Sequence, residues 1–495
     1  MSNAPALKIC LAASEFAPLA KTGGLADVCA ALSAYLHQNG HDVRVLIPMH
    51  RVVRDSGLVF HPVEYLQDIH IRLGPHDAHY SIDTAQLPGT TQSIYFLRCP
   101  VLFDQPGIYS SDNEEHYRYI LLSRAAIEMC QRMGFAPDIF HAHDWHTALI
   151  PLYLKTVYAW DQLFANTKSV LTIHNIGYQG VFNSDTLGDL GLGRHQHELH
   201  QADLAAGQIN FLKTAVLHAD VLTTVSPTYA REIQTDEFGM GLQDLLRARR
   251  TTLLGILNGV DYNEWNPEKD QFISHQYSWN DLAGKKENKK ELIAKLGLRI
   301  SENTPLIGMV TRLTSQKGLD LVQSVLPHVL QSREAGVAIL GSGEPAYEEF
   351  FSWLQSRFPG RVCYYRGFNN SLAHWIEAGS DMFLMPSLFE PCGLNQMYSL
   401  RYGTVPIVRR TGGLADTVQL YEPETRKGNG IVFRDYNEIG LLWAINTALD
   451  LYSDQQTWTR IVRNGMLKDF SWNRQGAIYV ELFRRILHLH DKGQL

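Results

Sequence analysis

Short apolar runs alternate with longer amphipathic segments along this chain, and that alternation admits few folds. The first cycle reads "LKICLAAS", then "LADVCAALSAYLHQNG", then "HDVRVLIPMH". Val28, Leu32, Tyr35 and Leu36 recur at helical spacing, and Gly40 stands where a helix C-cap belongs. Strand, loop, helix and strand in that order build a parallel α/β sheet. Further strands are predicted at "SIYFLR", "DIFHAH", "KSVLTIHN" and "VLTTVS". The rhythm then restarts. "PLIGMVTRL", "AGVAILGSG", "RVCYYRGF", "SDMFLMPS" and "TVPIVRR" read as strands, with "GLDLVQSVLPHVL" and "PAYEEFFSWLQSRF" as helices among them. Two doubly wound α/β domains are expected, residues 1–257 and 258–471, joined near "NGVDYNEWNPEKD", with a terminal amphipathic helix over 472–495. The segment "WNDLAGKKENKKELIAKLGL" is expected to be an exposed helix whose lysines need no partner beyond water.

Length agrees with two domains, since the chain has 495 residues and one core stops growing at roughly 250–300. With 44 basic against 51 acidic residues, the formal net charge of −7 provides no global basic field for nucleic acid or an anionic membrane. Any phosphate site must therefore be local. Cys10, Cys29, Cys99, Cys130, Cys363 and Cys392 form no CxxC pair, which argues against a zinc knuckle or disulfide scaffold and for reduced thiols. No run approaches the roughly 20 apolar residues that span a bilayer. "MSNAPALKICLAASEF" also lacks the basic start and long apolar segment of a secretory signal. The expectation is a cytoplasmic protein with neither membrane nor nucleic acid as partner.

The hexapeptide TGGLAD occurs twice, from Thr22 in "KTGGLADV" and from Thr411 in "RTGGLADT", each time between a predicted strand and a predicted helix. Adjacent glycines let backbone approach a ligand, and the helix that follows presents unpaired N–H groups to an anion. Either copy alone is equally a tight turn. In "TRLTSQKGLDL", Arg312 and Lys317 converge on a helix start, an arrangement suited to a diphosphate whose charge grows as it leaves. "PSLFEPCGLNQMYSL" places Glu390 after a strand and before a helix. "HAHDWH" and "LTIHN" end two strands with His141, His143, Asp144, His146 and His174. These are good metal ligands by type, but no further acidic cluster closes a site, and recognition of sugar hydroxyls is the preferred reading.

KTGGLADV, HAHDWH, IHN, LNGVD, TRLTSQKG, FEPCGLNQ and RTGGLADT follow one another in this order. Together they resemble the bacterial glycogen synthase and plant starch synthase family of retaining glucosyltransferases, over nearly the whole chain. The resemblance implies a GT-B fold: two Rossmann-like domains facing across a deep cleft and closing by a hinge. It further implies ADP-glucose as donor, the nonreducing end of an α-1,4-glucan (glycogen) as acceptor, and no metal or bound cofactor. The first domain would carry the acceptor and the KTGGL loop, the second the nucleotide sugar, and the terminal helix would cross back to the first.

By motif, Lys21, Gly23 and Gly24 would lie at the donor diphosphate and glucose, with Asp27 supporting their loop. His174, Asn175 and Asn258 would hold the transferring glucose. Asp144 and Tyr109 would face the acceptor. Arg312 and Lys317 would neutralise the departing ADP, and Glu390 would be the catalytic carboxylate. Cys392, Gly393 and Leu394, with Gly412 and Gly413, fall on the donor side, where Arg410 suggests a backbone role for the second loop. Phe368 is placed to stack on the base, with a core position as its alternative. Many GT-B enzymes write E-x7-E at the ribose, but the residue eight after Glu390 is Tyr398, which fits the ADP-glucose branch better than UDP-sugar enzymes. The competing readings are a UDP-glucose-dependent sucrose-type synthase and a noncatalytic glucan-binding relative.

Overall fold

A computed structural model describes residues 5–87, 89–110 and 114–491. The chain divides into two compact units. The first takes the chain up to Val225, then Ala230–Gly259, and again from Trp472 on; the second takes Ser226–Tyr229 and Val260–Ser471.

The first unit is built on a ten-stranded sheet. From one edge the order is Leu253–Gly255, Val221–Thr224, Lys168–Ile173, Ile139–His143, Lys8–Ala12, Asp42–Pro48, Ser93–Arg98, His76–Gln86 and His61–Pro62, with Ile69–Leu73 paired to His76–Gln86. All strands from Leu253–Gly255 to Ser93–Arg98 run parallel. They are covered on both faces, which is why they read as unbroken apolar runs such as "KICLA". The remaining strands are antiparallel, an edge that the βαβ reading does not contain. There "IHIRL" alternates, with Ile69, Ile71 and Leu73 buried and His70 and Arg72 exposed.

The helix Gly24–Gln38 lays Leu25, Val28, Leu32 and Leu36 into the core of this unit. It closes at Gly40, whose N–H bonds the His37 carbonyl at 3.0 Å while His41 N–H reaches the Leu36 carbonyl at 3.1 Å. Tyr35 is only half-buried, and its ring lies against Gly476 of the terminal helix Trp472–Asp491, so close that a Cβ there would stand 2.2 Å from it. That helix sends Trp472, Tyr479, Leu482, Phe483 and Ile486 into the same core.

The second unit carries a six-stranded sheet, entirely parallel, in the order Val362–Arg366, Gly336–Gly341, Leu306–Val310, Met382–Met385, Val405–Arg409 and Ile431–Phe433. The charged helix Ala283–Lys295 departs from expectation. Leu292 and Ile293 pack with Trp375 and Ile376 of the helix Asn370–Gly379, and this docking turns Lys285 and Lys289 inward. Lys285 Nζ donates to Thr404 Oγ1 at 2.8 Å and to the Ala378 carbonyl at 3.1 Å, and burial brings its pKa down to about 7. Lys289 pairs with Asp381 at 2.7 Å. A helix without a clear apolar stripe can still be an interior one if its long side chains find buried acceptors. Among the described residues no helix is long and apolar enough to cross a membrane.

Candidate active site

Each sheet has one place where the chain leaves a strand in opposite directions. In the first unit it lies between Lys8–Ala12 and Ile139–His143, in the second between Leu306–Val310 and Met382–Met385. Open α/β sheets bind ligands beyond the carboxyl ends of strands at such points. Ser14, Glu15 and Asp144 follow the first pair of strands, and Arg312, Ser387 and Glu390 the second.

In the first unit the KTGG loop is open. Lys21, Thr22 and Gly24 are exposed. Lys21 Nζ pairs with Asp27 at 2.7 Å, both groups partly solvated. Glu15, which motif reading missed, sits behind the loop with 3% exposure. Its carboxylate accepts Thr22 N–H and Thr22 Oγ1, each at 2.6 Å, and Gly23 N–H at 3.2 Å. The Tyr109 hydroxyl donates to the same carboxylate. Tyr109 therefore reaches the carboxylate behind the KTGG loop, while its ring stacks on His146 at 4.9 Å. The available signal for Glu15 was its position, in "SEF" just past the first strand.

Asp144, His174 and Asn175 are brought together. Asp144 is buried with φ +52, and its Oδ1 accepts the His174 N–H at 2.6 Å. Burial raises the Asp144 carboxyl to about 7 against the N–H groups of His174 and Asn175, and the charge of Glu15 adds to the rise. His174 Nε2 shares a hydrogen bond of 3.0 Å with His143 Nδ1, and burial lowers His174 to about 3, leaving a neutral ring. His141 and His143 occupy one face of their strand, ring centroids 4.1 Å apart, with His141 Nε2 against Thr172 Oγ1 at 2.7 Å. Among the described residues no three His, Cys, Asp or Glu side chains are grouped to hold a metal ion. The Asn175 side chain caps its own turn through Gly177 N–H at 2.9 Å. Asn258 is buried, with Oδ1 unpartnered among the described residues.

In the second unit the chemistry gathers on Glu390. It is 5% exposed, and one carboxylate oxygen accepts both Lys317 Nζ at 2.8 Å and Ser387 Oγ at 2.9 Å. Gln316 fixes the loop by donating to the Phe389 carbonyl at 3.1 Å. Arg312 is exposed, and its guanidinium makes no hydrogen bond or ion pair within the described residues. Thr411, Gly412 and Gly413 are buried under the Glu390 loop, with Gly413 N–H donating to the carbonyls of Glu390 at 3.1 Å and Pro391 at 3.2 Å. Cys392 is buried, and its carbonyl and that of Gly393 each accept Gln396 Nε2 at 3.0 Å. Leu394 precedes the helix Asn395–Tyr402 at its N-cap position, with no side-chain cap. Phe368 is 81% exposed, which removes the core alternative for it. Tyr398, eight residues after Glu390, is buried with its ring stacked on Trp265 at 4.0 Å, so a packing aromatic occupies that position.

Residues 8–248 match the starch synthase catalytic domain family and residues 288–465 the glycosyl transferases group 1 family. A glycogen synthase of Koribacter versatilis is 44% identical over 97% of this chain and 98% of its own length. That of Thermotoga maritima is 41% identical over 97% and 99%. The catalytic domain of starch synthase IV from Arabidopsis thaliana, solved with ADP and acarbose, superposes with a TM-score of 0.90 at 33% identity, covering 98% of this chain and 100% of that one. A sucrose-phosphate synthase from Thermosynechococcus elongatus shares the fold, at 15% identity and a TM-score of 0.60 over 97% and 99% of the two chains. Two doubly wound units, each with polar groups at its switch point, and relatives matched from end to end place this chain in the glycogen synthase and starch synthase family, as a glycosyltransferase of the GT-B fold.

Proposed function

We propose that this chain transfers glucose from ADP-glucose to the nonreducing end of an α-1,4-glucan with retention of configuration, in the cytoplasm, where its six thiols stay free. The observation that carries the reading is the buried Glu390 carboxylate in contact with the Lys317 ammonium, with the exposed Arg312 following a strand of the same switch point. An ion pair of this kind is poised for exchange. When the donor diphosphate arrives, Lys317 turns to phosphate and Glu390 is left to stabilise positive charge growing on the sugar.

The anomeric C–O bond breaks and its electron pair goes to the leaving phosphate, neutralised by Lys317 and Arg312. The acceptor 4-hydroxyl attacks the oxocarbenium from the same face, and its proton passes to that phosphate. A two-carboxylate double displacement needs a second carboxylate about 5 Å from the first across the sugar, and no motif supplies one. His174, neutral, donates or accepts at a glucose hydroxyl, and Asn175 and Asn258 complete that grip. Lys21, Gly23, Gly24, Gly412 and Gly413 serve the donor. Cys392, Gly393 and Leu394 shape the loop beside it, Phe368 offers a ring to the base, and Asp144 and Tyr109 serve the acceptor.

The test is turnover of purified protein on glycogen with ADP-glucose against UDP-glucose. ADP release with elongation of α-1,4 chains is expected. Transfer only from UDP-glucose to a small sugar overturns the reading in favour of a sucrose-type enzyme, and glucan binding without turnover favours a noncatalytic relative.

A further inference from the structure

The KTGG loop is held from behind by one anion. A carboxylate with 3% exposure is costly to bury unless charge-assisted hydrogen bonds compensate it. For Glu15 that compensation comes without a cation, because among the described residues no ammonium or guanidinium lies within ion-pair distance of it, and Lys21 is engaged by Asp27 instead. Its partners are the two donors of Thr22, the N–H of Gly23 and the hydroxyl of Tyr109. Three of these belong to the loop itself. The fourth ties the loop to the tyrosine stacked on His146, two residues beyond Asp144.

We infer that Glu15 is the positioning residue of the donor loop: a buried carboxylate that sets the conformation of Thr22 and Gly23 and couples it, through Tyr109, to the acceptor side, without itself touching the sugar nucleotide. This rests on the ADP-glucose reading above. It also narrows what the loop presents. Thr22 N–H, Thr22 Oγ1 and Gly23 N–H are consumed by Glu15, so the donor meets Lys21, the Gly24 N–H and the N–H groups that follow at the head of the helix Gly24–Gln38. Tyr109 is bonded in turn to Ser14 Oγ at 3.0 Å, which extends the tether to the end of the first strand.

Glu15→Ala, Glu15→Gln and Thr22→Val, compared with wild type, test this by ADP titration in a calorimeter and by steady-state kinetics with ADP-glucose and glycogen. Glu15→Ala is expected to raise the ADP Kd and both Michaelis constants by roughly ten-fold or more. The amide of Glu15→Gln keeps one oxygen for the two N–H groups and is expected to return them to within about three-fold of wild type. Thr22→Val deletes a single bond at an exposed residue. It is expected to raise the ADP Kd and the donor KM by about three-fold, at unchanged Tm and unchanged glucan KM. Should Glu15→Ala fail to fold, Thr22→Val and Glu15→Gln decide. Wild-type donor and acceptor constants in folded Glu15→Ala, or in Thr22→Val, overturn the inference. Absence of turnover in the wild type instead counts against the function proposed above, while ADP calorimetry still judges Glu15.

Discussion

The two copies of TGGLAD are one hexapeptide in two environments. In the first, Thr22 and Gly24 are exposed, Gly23 is extended at φ −159, and a Cβ built on Gly23 meets nothing within 4 Å. In the second, Thr411, Gly412 and Gly413 are buried. Gly412 has φ +43, and a Cβ there would lie 1.8 Å from the Glu390 carbonyl oxygen; one on Gly413 would lie 2.1 Å from that of Cys392. The aspartates diverge too. Asp27 holds Lys21, while Asp416 accepts the N–H and hydroxyl of Thr228 at 2.8 and 2.7 Å. The helices that follow differ in length, 15 residues against 6. Identical glycines thus keep a surface open in one unit and make room for the Glu390 loop in the other.

The largest expected effect lies on the loop that the second copy supports. Glu390→Ala should lower kcat by about a thousand-fold or more with ADP affinity little changed, measured by ADP release and calorimetry; near-normal kcat removes Glu390 from its role. Gly412→Ala should follow, with a stability loss of about 3 kcal/mol from overpacking and a left-handed alanine, read as a lower Tm together with lost activity. A stable, active variant would break the comparison at its strongest point.

The first copy should respond in binding alone. Lys21→Ala is expected to raise the donor KM roughly ten-fold while stability moves by less than about 1 kcal/mol, because its ion pair with Asp27 is partly solvated. The surroundings of this copy also titrate. The folded pKa of Asp144, about 7, stands above its ordinary 3.8, so the native chain holds that proton more tightly than the unfolded one. Stability contributed by protonated Asp144 is therefore complete below the ordinary value and is lost as pH rises through the folded one. Denaturant melts of Asp144→Asn should show the variant gaining on wild type between about pH 4 and about pH 7, and a constant gap counts against a raised pKa. The smallest effect belongs to Gly23→Ala, within about 0.5 kcal/mol of wild type in stability, since its backbone is open to any residue. A large Tm loss there would make the two copies alike after all.

Much of the fold was legible because parallel strands covered on both faces leave unbroken apolar runs, as at "VLTTV" and "GVAILG". The antiparallel edge His76–Gln86 was not, since "HDAHYSIDTAQ" alternates only weakly, although its partners Ile69–Leu73 and Ser93–Arg98 are its neighbours in sequence. Of the site, the charged and glycine positions could be marked by motif, but Glu15, Ser387 and Gln316 carry no local signature. Glu15 and Gln316 act through bonds to residues that folding brings up against them, Tyr109 and Phe389, while Ser387 serves Glu390 from within the same loop. The inward lysines of Ala283–Lys295 were misread for the same reason, their acceptors lying on other elements.

By itself, then, the sequence determined the alternation of strands and helices and where the glycine turns and charged groups fall along them, because periodicity and turn chemistry are local. Only the tertiary structure decided which TGGLAD is open and which is buried. That depends on what packs against each turn: nothing within 4 Å of a Gly23 Cβ in one unit, and the Glu390 carbonyl against Gly412 in the other. Such contacts are made between residues far apart in the chain and leave no trace in either hexapeptide.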